Sequence, residues 1–170
     1  ASISSTIAGS AASYSISSND IMINGQDIGA YTFTASDARL EDLVDGINAN
    51  VNGVTASTYA EAAASSVGTG ILEGTSSFKI DLVETNGNTF TVEVKDTGSL
   101  QELADKVNDA GAGRVSADIN DKGRLVNSSD VAESVEITDA SGISGITSGS
   151  ISYAQLSLSS DNGDPITIER

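Results

Sequence analysis

The sequence predicts an α+β protein made of two related units, each an antiparallel sheet with one packed helix, plus a C-terminal strand pair that returns to the first unit. The first observation behind this is a repeat. Ser36 to Ser57 reads SDARLEDLVDGINANVNGVTAS, and about sixty residues on Ser99 to Asp118 reads SLQELADKVNDAGAGRVSAD. Leu40 aligns with Leu100, Leu43 with Leu103, Ile47 with Val107 and Asn48 with Asn108. With one inserted residue, Val54-Thr55-Ala56 then falls on Val115-Ser116-Ala117. The second observation is a hairpin-like strand pattern ahead of each copy. The third is a composition with no cysteine or tryptophan and only 4% aromatic residues, which leaves small and aliphatic side chains to build the cores.

Each copy reads as an amphipathic helix, a turn and a strand. Leu40, Leu43, Val44 and Ile47 recur at the three-and-four spacing of one helical face, and Leu100, Leu103, Ala104 and Val107 repeat it. Ser99 with Glu102 three residues later fits a capping box, each side chain bonding the other residue's orphan amide. Ser36 with Asp37 is the plainer start, a cap oxygen and a first-turn carboxylate facing the helix dipole. Asn52-Gly53 and Gly111 with Gly113 supply the permissive backbone needed to leave each helix.

In chain order, Ala1 to Ser18 fits two weak strands or a disordered lead-in. From Asn19 to Thr34 a first hairpin is expected, with Ile21 and Ile23 leading through Asn24-Gly25 towards Tyr31 and Phe33. The first helix should run from Ser36 to about Val51 and the next strand from Val54 to Tyr59. Tyr59 to Ala64 is alanine-rich enough to propagate a short helix. The three glycines between Ser65 and Gly74 suggest the link between the copies. Phe78, Ile80 and Leu82 alternate with polar residues, Asn86-Gly87 signals a two-residue turn, and Phe90, Val92 and Val94 alternate again. Asn120-Asp121-Lys122-Gly123 should join strands at Val115 to Ile119 and Arg124 to Asn127. Val131 to Thr138 reads as a strand and Asp139 to Ser150 as a glycine-and-serine loop. Ile151 to Leu158 and Ile166 to Ile168 are the closing strands, separated by Asp161-Asn162-Gly163-Asp164-Pro165. The expected domains are residues 1–65 with 145–170, and a distal unit over 66–144, because an inserted domain enters and leaves its parent at neighbouring points.

Charge and residue usage exclude several functions. With 24 acidic and 8 basic residues the net charge is −16, which opposes binding to nucleic acid or to an anionic membrane. A solvated surface that keeps the protein soluble at high local density accounts for the acidity, and cation binding or a basic partner is the sharper alternative. No stretch approaches the roughly twenty apolar residues of a membrane span, and the Ala1 start lacks a signal-peptide pattern. Without cysteine there is no disulfide, reactive thiol or thiolate metal site, and without histidine the commonest general base and zinc ligand are both missing.

What chemistry remains is sparse. Gly9-Ser10 and Gly98-Ser99 lack the flanks of a GxSxG nucleophile. Glu41, Asp42 and Asp45, and Glu102, Asp105 and Asp109, are spaced for the helix faces opposite the leucines, as solvated carboxylates rather than a glycosidase pair. Asp161-Asn162-Gly163-Asp164 has a faint likeness to a calcium loop but lacks the twelve-residue EF-hand pattern, so a turn is expected there, as at Asn24-Gly25-Gln26-Asp27. Gly68-Thr69-Gly70 lacks the lysine of a phosphate loop. Asn127-Ser128-Ser129 matches an N-glycosylation sequon. No catalytic, cofactor-binding or metal residue is expected, and no cofactor.

The pattern DIMINGQDI, a spacer, then RLEDLVDGINANVNGVTAS resembles the IN motif of bacterial flagellins and of related hook-filament and cap proteins; together the two copies cover about two-thirds of the chain. The long heptad-like terminal helices by which flagellins polymerise have no counterpart here. The resemblance therefore implies the central, variable, outward-facing region of a flagellin, a structural and non-enzymatic part of the filament supporting motility and antigenicity. It implies an extracellular location reached by flagellar type III export, loops rich in serine and threonine that can carry O-linked sugars, and as partners other flagellin subunits and host antibodies. The isolated segment is expected to be monomeric. Two alternatives stand beside this: the corresponding domain of a filament cap or hook-associated protein, and an extracellular glycan-binding adhesion module using Tyr14, Tyr31, Tyr59 and Tyr153.

Overall fold

The computed structural model describes residues 2–3, 14–33 and 40–170. The chain divides into two compact units, residues 1–58 with 155–170, and Tyr59–Ala154. Both mix antiparallel sheet with one helix, the α+β class expected from the repeat.

The first unit begins with β1 (Ser2–Ile3), β2 (Tyr14–Ile16), β3 (Met22–Ile23), β4 (Gln26–Asp27) and β5 (Tyr31–Phe33). Asn24 and Gly25 both have positive φ, 50° and 74°, and close β3 onto β4 as a two-residue hairpin. This tight closure corrects the expected hairpin. β3 spends its pairing on Gln26–Asp27, so Tyr31–Phe33 turns away and pairs with Tyr14–Ile16 instead. Helix α1 (Leu40–Asn50) buries Leu40, Leu43 and Ile47 and exposes Asp42 and Asp45, as its periodicity requires. Its expected start at Ser36 lies outside the described residues.

Strand β6 (Val54–Ala63) follows Gly53, whose φ is +78°. Its burial alternates strictly along all ten residues, with Val54, Ala56, Thr58, Ala60 and Ala62 inward. The helix expected over Tyr59 to Ala64 is therefore absent. Ala60 to Ala63 pair with a neighbouring strand, and Tyr59 and Glu61 face solvent, so the period-2 pattern of this segment outweighs the helix propensity of its alanines.

The second unit continues with β7 (Ile71–Leu72), β8 (Phe78–Glu84), β9 (Thr89–Val94), β10 (Thr97–Gly98), α2 (Leu100–Gly111), β11 (Ser116–Ile119), β12 (Leu125–Ser129), β13 (Ala132–Thr138) and β14 (Ile151–Tyr153). The strand order of one sheet is β14-β13-β8-β9; β12 lies between β11 and the Ala60–Ala63 part of β6. Helix α2 packs on β9, β10 and β11 through Leu103, Ala104 and Val107, each 1% exposed or less, and such burial contributes about 1.5–3 kcal/mol per large aliphatic side chain. The stretch expected as a link is built into this unit. Leu72 is buried, Ser65 donates to Gly145 O, and Gly70 donates to Ile143 O while lying so close to Leu100 that no Cβ would fit.

Local details depart from expectation in instructive ways. The Ser99 side chain accepts the Glu102 amide as predicted, but Glu102 Oε2 accepts from Gly98 N at 2.9 Å, one residue before the cap. The left-handed position after α2 belongs to Ala112, φ 50°, while Gly111 is needed because a Cβ there would meet Val115 Cγ1 at 2.9 Å. The Asn86-Gly87 connection is one residue longer than expected, because Glu84 and Asn88 still bond across the ladder and Thr85 joins the loop.

The chain then returns to the first unit through β15 (Gln155–Ser160) and β16 (Ile168–Glu169). The expected strand over Ile151 to Leu158 is broken at buried Ala154: Ile151–Tyr153 pairs with β13, and Gln155–Ser160 lies between β1 and β6. β16 pairs with β3, so the closing strands enter different sheets. Strand pairing thus sets the unit boundaries at 58/59 and 154/155, where sequence composition suggested 65/66 and 144/145.

Candidate functional site

The two copies share one polar device, built by the asparagine that ends each IN-type pair. In the first unit, Asn48 Nδ2 donates to Ala56 O at 3.0 Å and the Ala56 amide donates to Asn48 Oδ1 at 2.7 Å. In the second, Asn108 Nδ2 donates to Ala117 O at 2.9 Å and the Ala117 amide donates to Asn108 Oδ1 at 2.8 Å. A strand residue directs both its backbone groups to one side, so Ala56 and Ala117 present theirs at a sheet edge. β11 ends its strand order, and the Ala56 part of β6 has β15 on one side and no pairing to β12, which begins at Ala60. Each asparagine amide thus acts as a one-residue strand, satisfying an edge and fixing the helix to the strand that follows it.

Two positions before the asparagine the copies diverge. Gly46 leaves room for Tyr31: a Cβ there would lie 1.5 Å from the Tyr31 hydroxyl. That hydroxyl donates to Ile28 O at 2.7 Å, which Asn50 Nδ2 also reaches at 2.9 Å. In the second copy the same position is Lys106. Its ammonium donates to Lys95 O at 3.1 Å and Asp96 O at 2.7 Å, with Glu102 3.7 Å away. Both solutions tie the helix to the chain segment preceding it, one by shape and one by charge.

The remaining singled-out residues take structural places. Asp42, Asp45, Glu102, Asp105 and Asp109 are exposed and Glu41 half-buried, spread along their helices. Asp161 accepts from Thr55 Oγ1 at 2.6 Å, and Asn162 bonds Ser160 and Asp164, so the 161–164 segment is a self-bonded turn. Among the described residues no group of three or more acidic side chains is placed to hold a metal ion. Asn127 is fully buried in β12, which closes the sequon to a glycan. Tyr59 donates to Glu61 Oε2 at 2.7 Å, and that bond, with burial, raises its pKa; Tyr153 is exposed on β14, and the side chain of Tyr14 lies outside the described residues. No helix of the described chain is long and apolar enough to cross a membrane.

Two organising residues carried little sequence signal. Asp139, 2% exposed, accepts from Ile143 N, Ser144 N and Ser144 Oγ at 3.1, 2.8 and 2.6 Å, so this buried carboxylate shapes the loop read only as glycine and serine. Arg114, the inserted residue of the second copy, pairs with Glu84 at 2.9 Å and lies 4.5 Å over the Phe90 ring. A loop lysine, arginine or aspartate is common enough that neither stood out.

No family model and no curated protein matches the chain. Among solved structures it is similar to the D1-D2-D3 domains of the flagellar cap protein FliD from Escherichia coli, at 19% identity and a TM-score of 0.33. The match covers 69% of this chain and 50% of that one.

Proposed function

We propose that this chain is the outward-facing, variable portion of a bacterial flagellar filament protein of flagellin type, structural rather than catalytic. The observation that carries the reading is the duplicated unit itself: an Ile-Asn or Val-Asn pair on a helix, then a turn, then a Val-x-Ala strand held by the asparagine at both copies. Its residues resemble the IN motif of flagellins and of their hook and cap relatives.

The topology supports the same reading. Within the first unit, Gly53 to Thr58 lies beside Gln155 to Asp161: Asp161 N donates to Gly53 O, and Ser159 Oγ to Thr55 O. The chain therefore leaves and re-enters this unit at one point, with Tyr59–Ala154 as an insertion between. Insertions of this kind let an extracellular polymer enlarge its surface without altering the parts that polymerise. A net charge of −16 suits a surface repeated at every subunit and facing water.

Immunogold electron microscopy of the native cell, with antibody raised against this chain, tests the proposal. Gold along the whole filament is the expected result. Gold confined to the tip or the hook junction replaces the flagellin reading with a cap or hook-associated protein, and gold on no appendage overturns the flagellar assignment.

A further inference from the structure

The chain contains four Asn-Gly dipeptides, Asn24-Gly25, Asn52-Gly53, Asn86-Gly87 and Asn162-Gly163, all with exposed asparagines. Asn-Gly is the pairing most open to intramolecular attack, because glycine offers no side chain to hinder its amide nitrogen. The reaction needs two freedoms: the asparagine side chain must rotate to bring Cγ over the next backbone nitrogen, and that N–H must be available to lose its proton.

Three of the four pairs are restrained. Asn24 Oδ1 accepts from Thr167 N at 2.8 Å and from Thr167 Oγ1 at 3.2 Å. Asn86 Oδ1 accepts from Asn88 N at 2.9 Å, and the Gly87 nitrogen already donates to Glu84 O at 2.9 Å. Asn162 is held at both ends of its amide, Oδ1 accepting from Ser160 Oγ and Asp164 N and Nδ2 donating to Asp164 Oδ2 at 2.7 Å. At Asn52 the anchoring is all backbone: its N–H donates to Gln26 Oε1 at 3.1 Å and its carbonyl accepts from Gln26 Nε2 at 3.3 Å. Gly53 is anchored through its carbonyl, which accepts from Asp161 N. Neither the Asn52 side-chain amide nor the Gly53 N–H makes a bond among the described residues.

We propose that Asn52 is the site at which this protein spontaneously deamidates in its folded state. The Gly53 nitrogen, losing its proton to solvent, attacks Asn52 Cγ; the new C–N bond closes a succinimide as the Cγ–Nδ2 bond breaks and ammonia leaves. Water then opens the ring at either carbonyl, giving aspartate or isoaspartate. Each event adds one negative charge at the turn between α1 and β6. The isoaspartate product also lengthens the main chain by one methylene between the atoms that Gln26 bridges. The second copy is immune at this point, because Ala112 stands where the first has Asn52.

Breaking one neutral hydrogen bond to reach the reactive rotamer slows a reaction by about fivefold, so Asn52 should outpace each restrained asparagine by at least about that factor. The test is to age the full chain at neutral pH, folded and in parallel in strong denaturant, and to quantify aspartate and isoaspartate at all four sites by peptide mass spectrometry. The expected result is conversion led by Asn52 in the folded chain, with the four rates converging in denaturant. Gly53→Ala, which hinders the nucleophile, and Asn52→Gln, which lengthens the ring to be closed, should each suppress the leading product. Conversion led by Asn24, Asn86 or Asn162 in the folded chain overturns the proposal, as does an Asn52 lead of the same size in denaturant.

Discussion

Asn108 grips Ala117 by both backbone polar groups, at 2.9 and 2.8 Å, and so stands in for the strand that β11 lacks on its outer side. Asn108→Ala is expected to destabilise the second unit by about 2 kcal/mol, two net hydrogen bonds of about 1 kcal/mol each. Asn108→Asp keeps an acceptor for the Ala117 amide but sets a carboxylate against the Ala117 carbonyl, and should fare no better. Urea unfolding gives the magnitude, and the exchange rate of the Ala117 amide locates it. An unchanged midpoint with unchanged exchange at Ala117 would show the clamp to be ornamental.

Gly46 is expected to tolerate alanine only if Tyr31 is removed. In an exposed helix the substitution should stabilise by about 1 kcal/mol, but here the added methyl lands on the Tyr31 hydroxyl. Gly46→Ala alone should therefore destabilise the first unit by about 1–3 kcal/mol, as overpacking does. In a Tyr31→Ala background its effect should vanish or reverse sign, and the double-mutant cycle reads the coupling directly. Strict additivity would contradict the shape match.

Much of this architecture is legible in the residues because two periodicities coincide with two sets of caps. Leu40, Leu43 and Ile47 and their counterparts Leu100, Leu103 and Val107 announce helices, and Phe78 to Val94 announces a hairpin, by burial alone. What escaped was decided by partners distant in sequence. Ala60 and Ala62 favour helix by propensity and are held as strand by pairing with Ser129 and Asn127, and Tyr31 to Phe33 is claimed by Tyr14 to Ile16 once Asn24-Gly25 closes its own hairpin. Asn48 and Asn108 stand out as repeated residues, yet their role depends on which strands lie at an edge, and no local pattern encodes that.

Arg114 is expected to matter more than an exposed loop arginine should. Its guanidinium meets Glu84, a carboxylate only 8% exposed, and covers Phe90. Arg114→Ala leaves a nearly buried charge without its partner and removes the cation–π contact, a loss of about 2–3 kcal/mol. Arg114→Lys should recover less than half, because an ammonium cannot lie flat on the ring. Adding Glu84→Gln to Arg114→Ala should restore part of the stability, which thermal unfolding of the three variants will show.

The two units should answer acid in opposite directions. Donation from the Ser18 hydroxyl, then from the Gly29 and Asn19 amides, lowers the Asp27 pKa below 3.8. A carboxyl depressed in the folded state stabilises it above the unfolded value and loses that contribution as pH falls through the folded one. The β3–β4 hairpin should therefore loosen below about pH 4, and Asp27→Asn should flatten that dependence. Burial instead raises the Glu133 pKa above 4.5, so its stabilising proton is present at low pH and is lost as pH rises through the folded value. Glu133→Gln should accordingly stabilise the second unit at neutral pH and have no such effect below pH 4. Amide exchange at Gly29 and in β13, followed across this range in both variants, separates the two contributions.

Asn127 is the residue whose replacement should improve the protein. It is fully buried on β12, opposite Ala117 on one side and Ala62 on the other, and neither Nδ2 nor Oδ1 has a hydrogen-bond partner among the described residues. A buried amide without partners carries its desolvation cost uncompensated, about 1–3 kcal/mol. Leucine has the same branched heavy-atom skeleton as asparagine and no polar atoms, so Asn127→Leu should raise the unfolding midpoint of the second unit, by that order less whatever its bulkier methyl groups cost in packing. Asn127→Ala removes the same polar atoms but leaves a cavity, and should gain less or lose. If Asn127→Leu instead destabilises while packing is preserved in its crystal structure, the amide is bonded to buried water, and that structure of the parent chain would show the water directly.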